Sequence, residues 1–129
     1  MVLMLSDKHW VLKAVVEASP ETVFQRIVAM KRKEVQALGS EYYDALSIEE
    51  ARLTITLTGH WWYQGMHTVH AHPTGAQVTY KVSNIARVAR TLAFLQRPLY
   101  VKQMRHEFEQ LLHQIGREIG CPWRLEQAC

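Results

Sequence analysis

Leu53, Ile55, Leu57 and Trp61 share one parity of the chain, and Thr54, Thr56, Thr58 and His60 share the other. A period of two is that of a β-strand with one buried and one solvated face. Two further runs follow, MHTVHA and AQVTYKVSNI, with the turn dipeptide Thr74–Gly75 between them, so this stretch reads as an antiparallel meander. A slip of one residue would turn every side chain to the opposite face, so the apolar pattern selects the pairing. A two-residue turn at Gln64–Gly65 would set Trp62 opposite His67 and split the apolar residues between the two faces. A three-residue loop, with Gly65 free to take positive φ, sets Trp61 opposite His67 and Gly59 opposite Val69. The inner face is then Ile55, Leu57, Trp61, His67, Val69, Ala71, Val78, Tyr80 and Val82. A bulge in either strand has the same effect, so the parity is required more strongly than the turn.

The flanking segments complete an α+β pattern. HWVLKAVVEA alternates Trp10, Leu12, Ala14 and Val16 with His9, Lys13 and Glu17, which predicts a first strand over residues 9 to 18. SPETVFQRIVAM then supplies Ser19 as helix N-cap, Pro20 at the first helical position and Glu21 in the first turn. Val23, Phe24, Ile27 and Val28 form the buried stripe of a short helix. KRKEVQALGS extends it or follows it as a further turn ending near Gly39. Residues 40 to 50 carry no pattern that assigns them, and residues 31 to 50 show no clear strand pair. ARVARTLAFLQR spaces Val88, Leu92 and Leu95 as a short helix or lid. The last element is a helix from about Pro98 to Ile119, with Met104, Phe108, Leu111 and Ile115 towards the sheet and Gly120 and Pro122 as its stop.

A chain of 129 residues that is 48% apolar fits one domain, residues 1–129, with a single core. MVLML is too short for a signal peptide, and no run reaches the ~20 apolar residues of a membrane span, so the expectation is a cytoplasmic protein. Cys121 and Cys129 lack CxxC spacing and suggest neither a disulfide framework nor a thiolate zinc site. No acid occurs between Glu50 and Glu107, an interval that holds Arg52, Lys81, Arg87, Arg90, Arg97, Lys102 and Arg105. Seven of the 15 basic residues therefore face no acid in that interval, a positive field that favours an anionic ligand or partner. A net charge of +3, with no helix-turn-helix, zinc finger or phosphate loop, argues against nucleic acid.

The histidines divide by parity. His60, His70 and His72 fall outside; the pair two apart on one strand can chelate a metal, but no acid lies nearby to complete or orient a dedicated site, so none is expected. Trp62 and Met66 share that outer face, under a terminus or loop or against a partner, for which a homodimer is the candidate. His67 is the histidine of the inner, apolar face. It is either a core residue tied to a backbone carbonyl, or the polar group that orients a ligand or moves a proton, its pKa displaced by burial. No serine, cysteine or carboxylate motif accompanies it, so the sequence names no catalytic residue.

Three segments, ASPETVFQRI, HPTGAQVTYKVSNI and RHEFEQLLHQIGREIG, resemble the SRPBCC superfamily of START-like and polyketide-cyclase-like proteins, over roughly residues 9 to 120. The resemblance implies the helix-grip fold, a curved antiparallel β-sheet wrapped around a long C-terminal α-helix. It also implies a hydrophobic cavity between sheet and helix for a small apolar or aromatic ligand, with no cofactor. The lining expected from the parity and the helix stripe is Trp61, His67, Tyr80, Met104 and Phe108, with Arg87, Arg90 and Arg105 as candidate rim cations. Two other functions stay open: a cyclase-like or isomerase-like enzyme using His67 or Tyr80, and an interaction module with a filled core.

Overall fold

Ser19 starts the first helix as its residue type dictates: its Oγ accepts the Thr22 N–H at 3.2 Å, and its carbonyl accepts the Val23 N–H at 3.0 Å. The computed structural model describes residues 3–6, 9–38, 43–59, 63–84 and 97–126. Along the chain run β1 (Leu3–Ser6), β2 (His9–Val16), α1 (Pro20–Leu38), β3 (Tyr43–Glu49), β4 (Thr54–Gly59), β5 (Tyr63–His72), β6 (Gly75–Asn84), α2 (Arg97–Ile119) and β7 (Trp123–Glu126). The class is α+β. All strand pairs are antiparallel, in the order β1-β2-β6-β5-β4-β3, with β7 also on β2.

β2 holds the sheet together. One edge pairs with β6 along its whole length; the other pairs with β1 near His9 and Val11 and with β7 from Lys13 to Val16. With both edges occupied and Val11 and Val15 buried as well as Trp10, Leu12, Ala14 and Val16, its near-continuous apolar sequence is explained. The core joins Trp10, Leu12, Ala14 and Val16 of β2, the α1 stripe, Ile55, Val69, Val78, Tyr80 and Val82 of the meander, and Met104, Phe108, Leu111, Leu112 and Ile115 of α2. Both helices therefore bury their apolar stripes on one face of the sheet. The opposite face of β4 to β6 carries Thr56, Thr58, Gln64, Met66, Thr68, Gln77, Thr79 and Lys81, half-buried and mostly polar.

Several expectations move. Of the two readings of KRKEVQALGS the structure has the extension: the first helix runs unbroken to Leu38. Residues 43–49 form a strand, with Leu46 and Ile48 facing Leu57 and Ile55. The first strand stops at Val16, where Glu17 N–H turns away to Pro122 O at 3.0 Å. β4 begins at Thr54 because Leu53, at φ +47, closes the 3-10 turn Glu50–Arg52.

The meander keeps its parity but not its turns. Gly65 pairs with Leu57 inside the sheet, so the β4–β5 connection is residues 60–62, and Ile55 rather than Trp61 stands opposite His67. The second turn is Pro73–Thr74, with His72 opposite Gly75. Each register lies an even number of residues from the expected one, so Ile55, Leu57, His67, Val69, Val78, Tyr80 and Val82 face the core as expected. Ala71 is the exception: it is exposed, at the turn end of β5. Gly75 is required by close approach, since a Cβ there, at φ +150, would collide with the Val16 carbonyl oxygen. α2 ends at Gly120, φ +75, whose N–H reaches Gly116 O at 2.8 Å. The chain then folds back over Gly116, where a Cβ would meet Cys121 O at 2.8 Å and Trp123 Cδ1 at 2.9 Å, and enters β7.

Candidate functional site

One row of side chains crosses the inner face from β3 to β2: Ile48, Ile55, His67, Tyr80 and Leu12, each opposite the next. His67 is thus placed in the middle of the sheet, between two apolar strands, and is 3% exposed. Its imidazole stacks on the Tyr80 ring with centroids 4.3 Å apart and planes at 11°. From α2, Phe108 leans over both rings, 5.6 Å from Tyr80 and 6.4 Å from His67. Met104, one helical turn earlier on the same buried stripe, is fully buried. Four of the five expected lining residues are accordingly buried in one core, three of them in ring contact. Trp61 lies outside the described residues.

The neighbouring row is Leu46, Leu57, Gly65, Val82 and Trp10. Gly65 puts no side chain into that row, two positions along β5 from His67. A glycine inside a strand weakens it, and such a position marks a bulge, a tight bend, or a close approach by a ligand or another backbone.

Burial holds the His67 imidazole well below its ordinary pKa, and the Lys31 ammonium on α1 pushes in the same direction. The ring is therefore neutral at neutral pH, with one nitrogen to donate and one to accept. Lys31 was not anticipated from the sequence. It continues the stripe of Phe24, Ile27 and Val28 by one turn, and its side chain is 13% exposed with Nζ 3.0 Å from Glu34 Oε2. The signal was available, because extending the stripe by three residues from Val28, or four from Ile27, lands on Lys31.

Of the three candidate rim cations one is described. Arg105 is exposed, with its Nε donating to Glu109 Oε1 at 3.0 Å, and Arg87 and Arg90 lie outside the described residues. Arg52 likewise sits 3.8 Å from Glu49, so the acid-free interval is partly neutralised in space by acids at its borders. On the outer face His70 is exposed, while His72 serves the turn, its Nδ1 accepting the Thr74 N–H at 3.2 Å. Among the described residues no three of His, Cys, Asp and Glu are placed to hold a metal ion, and no helix is long and apolar enough to cross a membrane. His60 and Trp62 lie outside the described residues.

No protein-family model matches the chain, and no curated protein matches it. Among solved structures it is similar to the crystal structure of TTHA0849 from Thermus thermophilus, at 14% identity over 83% of this chain and 94% of that chain, with a TM-score of 0.51. At that identity the likeness speaks for the fold alone.

Proposed function

We propose that the chain is a helix-grip domain of the SRPBCC kind, its sheet curving around α2, and that it binds a small apolar or aromatic ligand between the sheet's inner face and that helix. The observation that carries this reading is a buried imidazole stacked on Tyr80 at the centre of an apolar face, beside a row from which Gly65 withholds a side chain. Apolar walls with few oriented polar groups are the usual build of a small-molecule site. The order of strand, helix, meander and long helix supports the fold.

The test is a thermal-shift screen of fatty acids, flavonoid-like aromatics and neutral analogues against wild type, His67→Ala and Gly65→Val. Stabilisation of wild type that is weakened in His67→Ala and lost in Gly65→Val is the expected result. Ligand shifts unchanged in both variants would place binding elsewhere. A second reading draws on Lys31: a neutral imidazole can take a proton while a nearby ammonium stabilises an enolate, the chemistry of an isomerase or cyclase. Turnover of a bound carbonyl compound that disappears in His67→Ala would favour it.

A further inference from the structure

Among the described residues, His67 has no anion with which to share a proton. β4 sets Ile55 beside it, β6 sets the Tyr80 ring and its phenol, and α2 covers both rings with Phe108. The charge that acts on it from α1 is the Lys31 ammonium, which has the wrong sign. An imidazolium at this place must therefore gain water, and water reaches a residue 3% exposed only if its cover moves. Its own strand is paired on both edges, so the sheet does not part there. The cover is α2, and the two halves of that helix are held differently. Leu111, Leu112 and Ile115 are buried, Arg26 of α1 stands 3.7 Å from Glu118, and Trp123 lies against Gly116. From Lys102 to Phe108 only Met104 and Phe108 are buried, and the other side chains are exposed. Gln103 bonds to Glu107 at 3.2 Å and Arg105 to Glu109 at 3.0 Å, contacts that stay within the helix and do not tie it to the sheet.

We propose that His67 is an acid-sensitive latch: its protonation lifts the stretch of α2 from Lys102 to Phe108 off the sheet, while the strands and the Leu111-to-Ile115 part of the helix stay in place. Phe108 leaves the stacked His67 and Tyr80 rings, and the aromatic row, covered at neutral pH, opens to water. Ligand binding is not required for this movement.

Amide hydrogen exchange of the full chain between pH 7 and pH 5, expressed as protection factors, tests the latch. Amides from Lys102 to Phe108 should be protected about tenfold less, or weaker still, than those of β2 and of Leu111 to Ile115. They should also lose about twentyfold in protection between pH 7 and pH 5, the effect of one proton taken up near 6.5 in the open state. β2 loses the same factor, because full unfolding also frees His67, so the lower protection is what marks a local opening. His67→Phe should abolish the pH dependence. His106→Gln removes the exposed histidine of the same stretch and should keep it, and this arm decides the matter if His67→Phe does not fold. Protection that does not change with pH would mean that the stretch frays with His67 still covered. Protection equal to that of β2 would mean that α2 leaves the sheet only on global unfolding. A pH dependence that survives His67→Phe, or vanishes in His106→Gln, would belong to another group. Each of these three results overturns the latch.

Discussion

His67 shows how one side chain can be placed by its neighbours and then constrain the conditions under which the molecule is stable. Its ring is held neutral by burial and by the Lys31 ammonium, so its folded pKa lies well below the unfolded value near 6.5. Between those two values the unfolded chain binds a proton that the folded one does not. The folded state is therefore fully favoured, as far as this group is concerned, above about pH 6.5, and loses stability as pH falls through that value towards the folded pKa. The loss approaches about 1.4 kcal/mol per pH unit for one proton. Carboxylates also titrate at the acid end, so the informative quantity is a difference. Denaturant titrations of wild type and His67→Phe between pH 7 and pH 5 should converge as pH falls, wild type losing stability faster. Parallel curves would mean that the imidazole is protonated in the fold at little cost.

At the scale of elements, α2 is the clearest case of pattern and structure agreeing. A stripe at spacings of three and four predicted a helix from about Pro98 to Ile119, and the helix is Arg97–Ile119 with Met104, Phe108, Leu111 and Ile115 buried. Phe108 is 1% exposed and touches both rings of the candidate site, so Phe108→Ala should cost about 3 to 5 kcal/mol in chemical denaturation. A change under about 1 kcal/mol would mean that α2 is not seated on the sheet through this residue. The meander was legible in one respect and not in another. Burial fixes which parity faces the core, and that sufficed to turn His67 and Tyr80 inward. Turn position depends on backbone chemistry that glycine signals ambiguously: Gly65 reads as a turn residue and is a mid-strand one. Lys31 escaped because the α1 stripe was followed only through its apolar members. β7 escaped because four residues, WRLE, behind a Gly–Cys–Pro sequence carry too short an alternation to register as a strand.

The whole molecule adds a relation that no local window contains: β2 is paired on one edge by β6 and on the other by strands from the two extremes of the described chain, β1 and β7. The β3-to-β6 meander, by contrast, is built from neighbouring hairpins that close without either end. Pairings between residues as distant as Val16 and Trp123 form only after a large loss of chain entropy, and they complete the core around Trp10, Leu12, Ala14 and Val16. Two levels of opening follow. Among the described residues β3 has a partner strand only in β4, and its residues from Ala45 to Glu49 are exposed or half-buried, so it can separate at modest cost. Releasing β2 means breaking three pairings and opening the core at once, which is global unfolding. Amide hydrogen exchange should therefore find the slowest amides in β2 and β6, with opening free energies equal to that from denaturant titration, and lower ones throughout β3. Exchange in β3 as slow as in β2 would make the sheet a single cooperative unit. Faster exchange in β2 than in the meander would mean that the chain's ends, and not its hairpins, are the first part of the core to open.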